Sequence, residues 1–327
     1  MVNALGIDVS KDKLDVVLLN EQQHSHSGVF ANHTQGFEQL QRWLSKRCEG
    51  NVQACLEATG QYGEAIAEFL YQAGHTVSVV NPARIKAFAA SRLSRQKTDQ
   101  SDARLIAQFC QSQHPEAWTP PAPEQRALRA MVRHLADLKA MRQQENNRLT
   151  SGVAADAVLH ALQVHIAFLD QQIADLERQI HDHLNQFPHL KQQRDLLDSI
   201  PGLGQLTIAN VLAEVPNILA FETAAQLAAF AGVTPRQFRS GSSVHRPTHI
   251  SKCGNARLRA ALYFPAMVAL RHNPIIRAFG DRLKATGHTG KSIVVAAMRK
   301  LLHLIYGVLK SGLPFDPNYS AKSLLIA

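Results

Sequence analysis

The sequence predicts an α/β domain followed by a mostly helical remainder, and three observations lead there. Residues 4–80 alternate short β-branched and apolar runs with helical stripes. Residues 159–184 carry apolar side chains at heptad spacing, uninterrupted by glycine or proline. Charge is divided along the chain: residues 225–327 hold 15 Lys/Arg against two acids, Asp281 and Asp316, whereas the first 224 residues hold 20 against 24.

The elements follow in order. Residues 4–9 and 14–19 read as strands joined by the polar turn Ser10-Lys11-Asp12-Lys13, and a third strand is expected around 26–31. Phe37, Leu40, Trp43 and Leu44 make a helical stripe over 36–46. A fourth strand is expected at 53–56, a helix at 63–73 ending on Gly74, and a fifth strand at 76–80 closed by Asn81-Pro82. Thr98 is a candidate N-cap for a helix over 98–112, with Asp99 and Asp102 in its first turn. Three strands followed by helix, strand, helix, strand and helix is the order of a ribonuclease H-like fold.

The proline-rich stretch 118–123 predicts a boundary that closes a first domain at 1–122. Beyond it, Leu128, Met131, Leu135 and Leu138 share one helical face. Leu159, Leu162, Ile166, Leu169, Ile173, Leu176, Ile180 and Leu184 form an a/d seam of about three heptads, defining a helical coiled-coil region at 123–187. The pattern suits an internal helical hairpin and a coiled coil between subunits equally. Phe187-Pro188 opens a third, mainly helical domain at 188–327. Within it, Ile200-Pro-Gly-Leu-Gly204 reads as a helix-hairpin-helix turn whose glycines, Gly202 and Gly204, let backbone N–H groups face a phosphate. The plainer reading is a glycine-rich connector.

The chain has 327 residues, is 45% apolar and carries a net charge of +9, which excludes wholesale disorder. The basic end predicts a polyanionic partner. Cys48, Cys55, Cys110 and Cys253 are scattered, so neither a zinc site nor a disulfide framework is expected and a reducing cytoplasm fits. No signal peptide is expected, and the longest uncharged apolar run, 260–270, is too short to span a bilayer.

Four acids sit at fold-specific positions. Asp8 ends the first strand, Glu57 follows the fourth, and Asp99 and Asp102 share one face of the last helix. Each alone is an ordinary turn or helix-start residue; jointly they predict a site, because converging like charges need divalent cations to neutralise them. Magnesium suits an all-oxygen site that also borrows phosphate oxygens. Two such ions, with Mn²⁺ as a substitute, can clamp the attacking and leaving oxygens of a phosphodiester. Asp12 falls in the turn and Asp15 at a strand position facing elsewhere, so both are set aside.

Residues 234–243 read as a polar loop holding Ser240, Ser242 and Ser243 beside Arg236, Arg239 and Arg246, by itself a phosphate-binding loop. Lys252, Arg257 and Arg259, with Asn255, form a helix-start cluster suited to nucleic-acid phosphates.

Gly6-Ile-Asp-Val-Ser-Lys-Asp-Lys-Leu-Asp15, Leu56-Glu-Ala-Thr-Gly60, Val80-Asn-Pro82 and Lys97-Thr-Asp-Gln-Ser-Asp-Ala-Arg104 resemble the DEDD transposases of insertion sequences. These are relatives of the Piv DNA invertase, with a catalytic domain like that of the RuvC junction resolvase. The resemblance continues through Ile200-Pro-Gly-Leu-Gly204, Phe230-Ala-Gly-Val-Thr-Pro235, Ser240-Gly241 and Ile250-Ser-Lys-Cys-Gly-Asn-Ala-Arg-Leu-Arg259, covering essentially the whole chain. It implies a recombinase of a mobile element in which Ser240 joins DNA covalently, with Ser242 and Ser243 as rivals. It also implies a structured RNA that pairs with donor and target DNA, consistent with the lack of any evident base-reading segment. Joining two duplexes implies a homodimer or homotetramer. A hydrolytic junction resolvase using the same acids, and a non-catalytic nucleic-acid-binding protein, are the competing readings.

Overall fold

The computed structural model describes residues 3–20, 22, 24–58, 60–92, 99–152, 155–240 and 244–318, with side chains described except at 61, 237–240 and 244–248. It falls into two compact units, residues 1–120 and 121–327.

The first unit is built on a five-stranded sheet in the order β3-β2-β1-β4-β5. Strands β1 (Ala4–Val9), β2 (Lys13–Leu19) and β3 (Ser25–Ala31) form an antiparallel meander, and β4 (Gln53–Glu57) and β5 (Thr76–Val80) extend it in parallel from β1. The two-residue period of a strand sends alternate side chains to opposite faces. Leu5, Ile7, Leu14, Val16 and Leu18 meet α1 (Thr34–Ser45) and α2 (Glu64–Gln72) through Phe37, Leu40, Leu44, Ile66 and Leu70. On the other face Ala4, Cys55, Val80, Val17 and Leu19 meet α3 (Pro82–Ser91) and α4 (Asp99–Gln113).

Helix α4 lies unusually close to β1. A Cβ at Gly6 would stand 2.1 Å from the Ala103 carbonyl oxygen and 2.3 Å from the Ala107 nitrogen, so only glycine admits the helix here. Asp102 immediately precedes this contact. Helix α3 departs from the sequence expectation that Asn81-Pro82 closes β5: Asn81 is an N-cap whose side chain accepts from the Ala83 N–H at 2.9 Å, and Pro82 opens the helix. Residues after α4 cover the β5 edge, with the Trp118 N–H donating to Val77 O and the Ser78 hydroxyl to Pro115 O.

The second unit is mostly helical. Helices α5 (Pro123–Thr150) and α6 (Asp156–Gln186) run antiparallel within the chain, with Lys139 paired to Glu177, Arg142 to Asp170 and the His183 ring to Glu124 O. Of the two arrangements open to the heptad seam, the internal hairpin is therefore present. Leu162, Leu169, Ile180 and Leu184 are its buried members. Leu128, Val132, Leu135, Ile180 and Leu184 merge into one core with α7 (Pro188–Asp198), α8 (Gln205–Glu214) and the later helices.

Helix α9 (Ala224–Phe230) leads into a two-stranded antiparallel ribbon, β6 (Pro235–Ser240) and β7 (Val244–Ile250). This corrects the polar loop expected at 234–243. The strands lack the apolar alternation that announces a half-buried sheet, and a free-standing ribbon tolerates Pro247 because both its strands are edges. After it come α10 (Ala256–Ala261), α11 (Tyr263–His272), α12 (Pro274–Ala285) and α13 (Gly290–Ser311). Helix α13 is long and apolar enough to cross a membrane by length and composition. Its Ala297, Met298, Leu301, Leu302 and Ile305 are instead buried in the core of this unit.

Candidate active site

The register of the first sheet assembles the acids. Ile7 pairs with Leu56 in parallel, which brings Asp8 and Glu57 side by side at the C-terminal ends of β1 and β4. Gly6 and Cys55, two residues back, both lie on the α4 face, so the alternation places Asp8 and Glu57 there too. Asp99 and Asp102 occupy the first turn of α4, at the same end. Thr98, the expected cap, lies outside the described residues.

Asp15 corrects the sequence reading. It sits directly opposite Asp8 in the antiparallel β1–β2 pair, and cross-strand partners project to the same face. Val17 and Leu19 confirm that face by packing on Ala103 and Ala107 of α4. The error has a physical cause: β2 is buried on both sides, so its sequence shows no polar–apolar alternation from which to read a phase. Asp15 is itself buried, and the Lys13 ammonium joins it to the site. Lys13 Nζ lies 3.0 Å from Asp15 Oδ2 and 2.7 Å from Asp99 Oδ2.

The electrostatics follow from this crowding. Burial pushes the Asp8 pKa up, and the charges of Asp102, Asp99 and Asp15 push it further against a smaller opposing pull from Lys13. Asp99 moves the other way, because the Lys13 hydrogen bond holds its carboxylate below the usual range. The same bond, with that to Asp15, raises the lysine pKa and keeps it protonated. A carboxylate set with a lysine ammonium already bridging two of its members matches the oxygen-only chemistry of a hard divalent cation. Among the described residues, no three acidic, cysteine or histidine side chains stand close enough to share one ion in the present arrangement.

The basic candidates belong to the second unit. Ser240 ends β6 with Val244 as its pair, so its backbone is fixed at the ribbon's tip. Ser242 and Ser243 lie outside the described residues. Arg239 pairs with His245 and Arg246 with Phe238 along the ribbon, while exposed Arg236 pairs with His249 before a bulge. Lys252 and Arg257 are exposed. Arg259 is half-buried, and its Nη1 donates to the Ala231 carbonyl at 2.9 Å. Gly202 has φ +105°, and a Cβ there would stand 2.7 Å from the Ala269 side chain, so the turn between α7 and α8 is packed down on α11. Gly204, at the N-cap of α8, faces open space.

Sequence reasoning also missed a polar network in this unit. Buried Glu214, at the end of α8, accepts from Arg133 Nε at 2.9 Å, Arg133 Nη2 at 3.1 Å and Asn255 Nδ2 at 2.8 Å. Asn255 in turn caps α10 by accepting from the Leu258 N–H. Burial alone would raise the Glu214 pKa, but the hydrogen bonds from Arg133 and Asn255 bring it below the usual range.

Similarity to known proteins extends along most of the chain. A DEDD transposase model typified by IS110 matches residues 5–155, and one described as the transposase IS116/IS110/IS902 family matches residues 194–281. The pilin gene-inverting proteins of Moraxella bovis and Moraxella lacunata are each 32% identical over 315 residues, covering 95% of this chain and 97% of theirs. The transposase for insertion sequence element IS1111A of Coxiella burnetii is 36% identical over 115 residues, 35% of this chain and 30% of that protein. The chain belongs to the IS116/IS110/IS902 family of transposases, enzymes that recombine DNA.

Proposed function

We propose that the chain cleaves and rejoins DNA of a mobile element at a Mg²⁺-dependent carboxylate centre, with Ser240 as the nucleophile. The observation that carries this reading is the convergence of Asp8, Glu57, Asp99 and Asp102 on the α4 face at one end of the sheet. Asp8 and Glu57 are set by adjacent strands, and Asp99 and Asp102 by a helix that Gly6 admits at close range, so all four stand on rigid elements. Bound there, one or two Mg²⁺ ions, or Mn²⁺ in their place, would supply charge to hold phosphate oxygens and to favour loss of the attacking hydroxyl's proton.

The serine then does what water does in a resolvase. Its oxygen bonds to phosphorus, the bond to one deoxyribose oxygen breaks, and that oxygen leaves with a proton as a free hydroxyl. A hydroxyl of the partner strand attacks the seryl ester in the second step and regenerates the serine, so no external energy source is needed. Arg236, Arg239 and Arg246 along the ribbon, with Lys252, Arg257, Arg259 and the open N-terminus of α8 at Gly204, would hold the DNA backbone. On this reading residues 1–122 are the catalytic domain, 123–187 a helical spacer and 188–327 the DNA-holding transposase domain. Donor and target are double-stranded, an element-encoded RNA chooses them by pairing, and two or four copies assemble on the joint.

The test is Ser240→Ala followed by denaturing gels for a protein–DNA adduct, with and without EDTA. A serine that merely hydrogen-bonds a phosphate would cost about 1 kcal/mol when removed, roughly fivefold. A nucleophile would cost several orders of magnitude in strand exchange, with nucleic-acid binding retained. Full exchange by Ser240→Ala would transfer the chemistry to water and favour the resolvase.

A further inference from the structure

We infer that Lys13 is a built-in counter-cation of the carboxylate centre, anchored on Asp15 and releasing Asp99 when a divalent cation enters. The inference rests on the carboxylate-centre reading above and adds Lys13 and Asp15 to it as positioning residues.

The argument begins with the asymmetry of the bridge. The Asp15 side chain is 11% exposed and fixed by the β1–β2 register, whereas the Asp99 side chain is 60% exposed on the first turn of α4. An ion pair exposed to that degree is weak and readily exchanged, while removing a cation from a buried carboxylate is costly. The ammonium should therefore stay with Asp15 and let go of Asp99. Its position suits the purpose. Lys13 begins β2 and leaves the strand on the α4 face, two residues before Asp15, so one side chain spans the gap between sheet and helix.

The consequence concerns the metal-free protein. For Asp99 to hold a cation, its Oδ2 must give up the Lys13 ammonium, so that bond opens on loading. Until then the lysine offsets part of the repulsion among Asp8, Asp15, Asp99 and Asp102. It should thus stabilise the free protein and weaken its affinity for the ion it competes with.

The experiment titrates Mn²⁺ into the full-length metal-stripped chain by calorimetry and records melting temperatures with and without Mn²⁺. Lys13→Met is expected to bind Mn²⁺ roughly tenfold tighter and to melt lower than wild type without metal. Lys13→Arg, which keeps the charge, should melt like wild type. Asp15→Asn should change Mn²⁺ affinity by less than about threefold, and that change should vanish when Lys13→Met is already present. Unchanged or weaker binding by Lys13→Met overturns the inference, and a loss of binding by Asp15→Asn makes Asp15 a metal ligand and overturns it too. Asp8→Asn separates the two levels. If wild-type Mn²⁺ binding depends on Asp8 but not on Lys13, only this inference fails. If wild type binds no Mn²⁺, or binds it regardless of Asp8, the carboxylate-centre reading fails and takes the inference with it.

Discussion

Asp8 and Glu214, one in each unit, both sit out of full contact with water, and the protein treats them in opposite ways. Glu214 receives three hydrogen bonds, two of them from a guanidinium, and its pKa falls despite burial. Asp8 is surrounded by Asp15, Asp99 and Asp102, is opposed only weakly by Lys13, and its pKa rises. The first arrangement is self-contained: the chain supplies the whole counter-charge, and the carboxylate ties α5, α8 and the cap of α10 together. The second leaves a surplus of negative charge that folding alone has no reason to collect. A protein keeps such a surplus where something from outside is to be bound. The difference sets a carboxylate whose charge the chain compensates against one whose charge it does not, which supports the proposed role of Asp8 without reference to any relative.

The contrast is broken most severely at the surplus. Asp8→Ala, Glu57→Ala, Asp99→Ala or Asp102→Ala should each reduce recombination by several orders of magnitude, read as strand-exchange product per unit time. Asp8→Asn should in addition raise the melting temperature of the metal-free chain, because it removes a half-buried charge from among its own kind. A variant that recombines at the wild-type rate removes its residue from the site. Gly6→Ala tests the scaffold beneath these acids: with the Ala103 carbonyl 2.1 Å away, α4 has to shift, and activity should fall together with stability.

Next in size is the self-contained carboxylate. Arg133→Met leaves Glu214 buried with the Asn255 hydrogen bond and the more distant Arg129 charge, and should cost about 2–3 kcal/mol, less than a fully buried pair because the arginine is partly exposed. The loss should appear in the unfolding of residues 121–327 and leave Mn²⁺ binding untouched. The pH dependence has a definite sign. A carboxyl whose folded pKa is depressed contributes its stability above the ordinary glutamate value, about 4.3, and loses it as acid protonates the folded form. Melting curves between pH 5 and 3 should therefore fall less steeply for Glu214→Gln than for wild type. Equal slopes would mean that the network does not hold the charge.

The acids at strand ends were legible in the sequence because strand ends and helix starts are local features, and Asp8, Glu57, Asp99 and Asp102 each occupy one. Asp15 was not legible, since its membership depends on register within a strand buried on both faces. The Glu214 network was hidden for a related reason: its partners lie 81 and 41 residues away, and nothing local marks them. The ribbon carrying Ser240 was not legible because residues 235–240 and 244–250 show no hydrophobic alternation in sequence. Helix α3 was a misread signal rather than a missing one, because Asn81-Pro82 opens a helix as well as closing a strand.

The smallest expected effects divide the basic cluster itself. Residues 121–327 hold 24 Lys/Arg against 14 Asp/Glu, whereas residues 1–120 hold 11 against 12, so phosphate binding should reside in the second unit. Arg257 and Arg259 are equivalent in the sequence pattern, yet of the two only Arg257 is exposed; Arg259 turns inward and donates to Ala231 O. Arg257→Glu should therefore weaken DNA or RNA binding regardless of sequence and reduce the slope of log affinity against log salt by about one, with no change in melting temperature. Arg259→Ala should show the reverse emphasis, losing about 1 kcal/mol of stability with the carbonyl contact. Salt titrations of the two variants beside their melting curves decide the matter. If Arg259→Ala flattens the salt slope as strongly as Arg257→Glu while melting like wild type, its inward hydrogen bond is incidental and the residue is a phosphate contact after all.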